Sequence, residues 1–353
     1  MELVNELQGL RERVLCNLVL DKIAGWPFRR LESGMKRFLG LCLLFIIFEA
    51  SELLVFGIVK ISILQSLVPS ILTAFIAALC IHVVSCCYQH TLVELGAVAT
   101  TPALGSGVEK ALVNWLRKTT NIWFQLLWSC GVTVAVILAL YVIKQRATLS
   151  IPYGPGLLFG AGLVFFWLGQ IWYWAVFAPF ATRLLRGSDA SEIGLDPLYP
   201  NETPILVAMS RTLSVYALWH GFVATLCLIL LFTLQPDFGE GGTRYVLVFV
   251  LLSYLISFWT FLYPQFNLSQ LVYRAKQDTL LKIRAESSKL YENLDKLERA
   301  DFERLENLRG LHDTVSKWRN TVVGFSGLRS FIASLIMPAL TAFVGFKLQS
   351  FMA

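Results

Sequence analysis

The sequence predicts an all-α, polytopic transmembrane bundle. It comprises three helical hairpins, a weaker seventh apolar segment, and a cytoplasmic amphipathic segment with coiled-coil-like patterning. Three observations predict this class. Apolar residues make up 56% and charged residues only 15% of the 353 positions, with a mean hydropathy of +0.62; so few charges would not cover the surface of a water-soluble globule. The apolar residues gather into runs of roughly 20, the length that crosses bilayer hydrocarbon as a helix. The basic residues collect in alternate connectors, which is the orientation signal of membrane proteins.

Residues 1–37 open the chain with Leu3, Leu7, Leu10, Val14 and Leu18 at three- and four-residue steps, a spacing that lines one face of a helix. Trp26, Phe28, Arg29 and Arg30 follow, a mixture that favours the headgroup layer. This part is expected to be a cytoplasmic interfacial helix or, equally, a helix packed on the soluble portion. The first apolar core begins only near Phe38, so no cleavable leader is expected.

Residues 38–264 are expected to form a bundle of about six helices, at 38–59, 65–88, 122–143, 156–179, 206–234 and 245–264. Turn chemistry at Pro152-Tyr153-Gly154-Pro155 and around Pro236-Asp237 to Gly242 separates neighbouring helices into hairpins. With the N-terminus inside, the inner connectors hold 25 of the 30 Lys and Arg residues, which predicts a multi-pass cell-membrane protein with a cytoplasmic N-terminus. Residues 265–329 carry twelve basic and nine acidic residues, no proline, and an apolar stripe from Leu290 to Val322. That pattern is an amphipathic helix or helical hairpin, able to fold back, to self-associate through 265–328, or to bind a cytoplasmic protein partner. Asp301 is a candidate N-cap after a break near 299–302. Residues 330–353 end the chain with an apolar stretch at 330–347 that contains Pro338, expected to span or to re-enter the membrane.

Four residues are candidates for an ion or proton pathway. Glu49 and Glu52 lie three apart near the middle of the first span, on one helical face. Carboxylates there should face the bundle interior, and close approach would make them share a proton. His220 sits at a similar depth in the fifth span, with an imidazole suited to proton relay; the alternative is a neutral histidine bonded to a nearby carbonyl. Arg211 stands near the inner end of that span, where it can snorkel to the headgroups or pair with a first-span glutamate.

Other constellations are weaker. His82, Cys86 and His90 align at four-residue steps, but a closed metal site would need a fourth ligand from elsewhere. The aromatic group from Phe165 to Trp174 fits a packing core that continues into an interfacial belt. The seven cysteines fall mostly in apolar runs and read as small buried residues. Soluble-enzyme motifs are missing, and no catalytic residue, metal, cofactor or nucleic-acid partner is expected. The expectation is therefore an ion- or proton-conducting bundle with a cytoplasmic assembly or gating element. The alternative is a membrane-anchored scaffold or signalling component that binds a partner through residues 265–328.

Overall fold

The computed structural model describes residues 2–9, 13–25, 33–58, 63–99, 104–146, 155–189, 192–196, 199–292, 299–322 and 332. They form α1 (Glu2–Gly9), α2 (Leu15–Gly25), α3 (Ser33–Ile58), α4 (Ile63–Ala99), α5 (Ser106–Thr119), α6 (Ile122–Arg146), α7 (Pro155–Phe177), α8 (Phe180–Gly187), α9 (Pro204–Tyr291) and α10 (Arg299–Ser316). No strand occurs among the described residues. The expected seventh segment at 330–347 lies outside them apart from Ile332.

Among the described residues, three stretches are long and apolar enough to cross a membrane: Thr73–Ala99, Ile122–Ala139 and Gly162–Gly187. Leu39–Ser51 on α3 is apolar but shorter. The expected fifth and sixth spans both lie on α9, and the side chains of residues 227–247 lie outside the described residues.

A straight helix of α9's 88 residues would extend about 130 Å. It does not run straight, because Ser257 Oγ donates to the Ala217 carbonyl at 2.7 Å and Ser210 pairs with Gln265. In a straight helix, positions 40 apart would be about 60 Å distant. Thr225 and Tyr254 also meet through their hydroxyls, so the chain reverses between those two residues, the interval that contains Pro236 and Gly242.

Helices α6 and α7 pack closely and antiparallel. Gly162 approaches Thr133 and Ile137, and Gly169 lies against Ser129. A Cβ on Gly169 would stand 3.1 Å from Ser129 Cα, which is backbone that cannot step aside. Gly169→Leu is therefore expected to wedge the pair apart and cost about 2 kcal/mol, read as a lower unfolding temperature in detergent; an unchanged temperature would contradict this packing. Buried Gln170 bridges the same pair, donating to the Gln125 carbonyl and to Ser129 Oγ. Such bonds hold helices together where lipid offers no hydrophobic drive. The rest of α6 faces outward, with only 17% of its apolar window buried.

The amphipathic N-terminal pattern resolves into two helices instead of one. Leu3 and Leu7 are buried on α1, which packs on α5, whereas Leu15, Cys16 and Leu20 are buried on α2, which packs on α3 and α4. One leucine stripe thus serves two partners, and the chain turns between them. Buried Glu6 secures the arrangement by pairing with both Arg13 and Arg117. Burial pushes its carboxyl pKa up, but hydrogen bonds and charge from Arg13 and Arg117 outweigh this and hold it below the usual 4.5. A depressed folded-state pKa contributes stability above the unfolded value, and that contribution is lost as pH falls through the folded value. Acidification below about 4.5 should therefore loosen α1 and α2, and Glu6→Gln should flatten that part of the stability–pH curve. An identical acid slope in the variant would count against the clamp.

Beyond the bundle, the outer arm of α9 and α10 form an antiparallel hairpin. Leu280, Ile283, Leu308, Val315 and Trp318 make its core, Glu286 pairs with Arg304, and Lys276 Nζ donates to the carbonyls of Ser316 and Trp318. The apolar stripe of residues 265–322 is thus folded back within one chain. Asp301 lies in the first turn of α10, where a carboxylate favours the positive end of the helix.

Candidate functional site

His220 is 2% exposed and lines a small cavity with Val83, Val84 and Cys87 of α4, Ile171, Trp174 and Ala175 of α7, and Tyr216 of α9. Val83–Cys87 is the middle of the Thr73–Ala99 stretch, and Ile171–Ala175 is the middle of Gly162–Gly187. The imidazole therefore sits beside the middle of α4 and the last two turns of α7.

A second cavity adjoins the first, lined among others by Tyr88, Thr91, Trp115, Thr120, Trp174, Thr212 and Tyr216. Trp174 and Tyr216 border both. The volume open to the centre of a water molecule is about 10 Å³ beside His220 and about 20 Å³ in the second cavity, room for about one water in each. Both ring nitrogens of His220, Thr212 Oγ1 and Trp174 Nε1 are buried without a protein partner among the described residues. Buried polar atoms are rarely left unpaired, and water is the usual completion. Tyr216 already has one protein partner, its hydroxyl lying 3.2 Å from Thr91 Oγ1.

Thr212, Tyr216 and His220 are four residues apart and share one face of α9. They form a polar stripe about 12 Å long, directed from the middle of the bundle toward α5. At its far end stands Thr120, which borders both the second cavity and an open recess beside Arg13, Arg117 and Asn121. Sequence reasoning singled out His220 and passed over Thr212 and Tyr216, although their spacing was there to be found. Thr120 and Thr91 carried no comparable signal, because they depend on which helices are neighbours.

The other sequence candidates fall elsewhere. Glu49 lies half-buried on α3, and Glu52 belongs to the same helix, with its side chain outside the described residues. Helix α3 packs on α2, α4 and α7, whereas α9 packs on α4, α7, α8 and α10. The pair α4 and α7 thus stands between α3 and α9, and Glu49 is not brought to His220. Arg211 is exposed, as a snorkelling side chain would be. His82 lies 3.4 Å from Cys86 and edge-on to Trp219, and His90 stands 3.9 Å from Glu94. Among the described residues, no three His, Cys, Asp or Glu side chains gather as metal ligands. The aromatic group on α7 is largely core: Trp167, Trp172, Tyr173 and Trp174 are buried, and Tyr173 donates to the Thr119 carbonyl.

No protein-family model matches the chain, and no curated protein or solved structure matches it either.

Proposed function

We propose that the chain is a multi-pass membrane protein that moves protons, and that the His220 stripe forms the part of their route that runs from the recess at Thr120 to the buried imidazole. The observation that carries this reading is the alignment of Thr212, Tyr216 and His220 along two small adjoining cavities. A hydrated ion does not fit spaces with room for about one water each. Protons need no wider path, because they hop between hydroxyls, waters and ring nitrogens. Neutral imidazole accepts at one nitrogen and donates at the other, so it passes a proton on without net change. The proposed path does not draw on Glu49 or Glu52 of α3.

The test is proton flux in liposomes that contain the full-length protein. Under an imposed potassium diffusion potential, an entrapped pH dye should report flux above that of protein-free liposomes. Tyr216→Phe, which removes one hydroxyl from the stripe, should slow it. Flux indistinguishable from protein-free liposomes would overturn the reading.

One observation favours a second reading, in which the chain is a membrane-anchored scaffold. The hairpin of α9 and α10 carries a groove of about 760 Å³ lined by Tyr291, Phe302, Leu305 and His312 among others, and Phe302 and Tyr291 are exposed. Such a groove suits the apolar face of a partner helix. Loss of a co-purifying partner on Phe302→Glu, with no proton flux in the wild type, would favour it.

A further inference from the structure

We infer that Arg186 and Arg274, which meet at the C-terminal end of α8, bind the phosphate of an anionic phospholipid whose acyl chains lie along the outward face of α9. The inference rests on the membrane reading above but not on the proton path. Arg186 is held from two sides. Its Nη1 donates to Asn267 Oδ1 at 3.2 Å, and its guanidinium lies over the Phe266 ring, 5.9 Å from the centroid. Asn267 is itself buried and donates to Thr182 Oγ1 at 3.1 Å. Arg274 Nη1 donates to the Arg186 carbonyl at 3.4 Å, which brings the second guanidinium to the same corner. A guanidinium already fixed in place loses less entropy when a phosphate binds.

Both side chains bond only to neutral acceptors, and neither forms an ion pair among the described residues. The carboxylates of the surrounding elements are engaged elsewhere or exposed. Helix α8 packs on α5, α7 and α9. Glu109 of α5 accepts from the Leu3 N–H, and α7 has no acidic residue. After α8, the Glu192 carboxylate lies against Gly107 at the start of α5, and Asp196 accepts from the Tyr199 N–H. Asp189 and Asp278 are exposed, as is Arg183 one turn before Arg186.

What makes the anion a lipid is the surface that leads to this corner. Val248, Leu251, Leu255, Leu262 and Phe266 of α9 are each more than half exposed and recur at three-, four- and seven-residue steps, on one face of a helix. Trp259 and Tyr263 stack at 4.3 Å near the end of that face, as aromatic residues do at the membrane interface. Beyond Phe266, charged residues join the exposed positions, beginning with Arg274 and Asp278. Arg186 thus stands over the last residue of the apolar face. Basic side chains between helices at such a boundary are the arrangement that holds anionic headgroups.

The test is native mass spectrometry of the full-length protein in detergent, with phosphatidylglycerol or phosphatidylcholine added. The wild type should retain phosphatidylglycerol in preference. Arg186→Gln and Arg274→Gln should each weaken that adduct about fivefold, the contribution of one basic side chain near an anionic headgroup. Arg274→Lys should keep much of it. Lys282→Gln removes an exposed charge about 12 Å farther along α9 and should leave the adduct unchanged. Asp278→Asn removes the exposed carboxylate one turn from Arg274 and should strengthen it; a gain of binding does not follow from misfolding. Equal retention of the two lipids, an adduct indifferent to the two arginines, an equal loss in Lys282→Gln, or a weaker adduct in Asp278→Asn would overturn the proposal. Displacement of the adduct by inorganic phosphate would overturn the lipid as its source. Recovery of the folded protein without detergent in a high-speed supernatant would instead overturn the membrane reading itself.

Discussion

Replacing His220 by glutamine should reduce proton flux through the reconstituted protein to the leak of protein-free liposomes. Glutamine is close to histidine in size and keeps a donor and an acceptor, so the cavity wall of Val83, Cys87, Ile171 and Trp174 should remain packed. What it loses is a nitrogen that can take up a proton and release another. Replacement of a buried His that served only as filler would leave flux unchanged. The stripe gives an internal comparison. Thr212→Val removes a hydroxyl but not the water path, so it should slow flux without abolishing it, whereas His220→Gln interrupts the route. Equal flux in wild type and His220→Gln, at equal protein incorporation, would remove His220 from the mechanism.

The largest loss of stability should come from Gln125→Leu. Gln125 is fully buried and holds the entry to α2 against α6: its Oε1 accepts from the Leu15 N–H and its Nε2 donates to the Arg13 carbonyl. Leucine fills similar space but satisfies neither group. Each buried backbone group left unpaired costs about 1–3 kcal/mol, so the pair should cost about 2–6 kcal/mol. The damage should be local, since the Gln125 carbonyl still accepts from Gln170 and α6 stays on α7. Hydrogen exchange should therefore accelerate in residues 2–9 and 13–25 while residues of α7 remain protected. Unchanged protection in α1 and α2 would show that this glutamine does not hold them.

The helical class and the long apolar stretches of α4, α6 and α7 were readable from residue runs, because lipid crossing is a local property of length and composition. Local turn chemistry also located the interval of α9 in which the chain reverses. The break between α1 and α2 was not readable. The leucine spacing from Leu3 to Leu18 is continuous, and only the tertiary pairing of Leu3 with α5 and Leu15 with the bundle divides it. Helix α5 escaped notice within a connector because its sequence is short and mixed, with Val108, Leu112 and Leu116 as its buried side. His220 stood out as a polar residue within an apolar run, and it is buried, but its neighbours were not readable. Equal depth pointed to Glu49 and Glu52, and depth carries no information about which helices touch. Hydroxyl side chains such as Thr212 draw little attention in a span because serine and threonine often bond back to their own helix, as Thr225 does to Gly221. Only the cavity shows that Thr212 does not.

A proton route through His220 requires the imidazole to be wet although it is buried among α4, α7 and α9. Water-edited solid-state NMR of the 15N-histidine-labelled protein in lipid bilayers tests it directly. With only four histidines in the chain, the His220 ring signals are assigned by their loss in His220→Gln. Rapid magnetisation transfer from water to those ring nitrogens is expected, while the surrounding apolar side chains of α4 and α7 stay dry. Ring signals that receive no water magnetisation in a bilayer-embedded protein would contradict it.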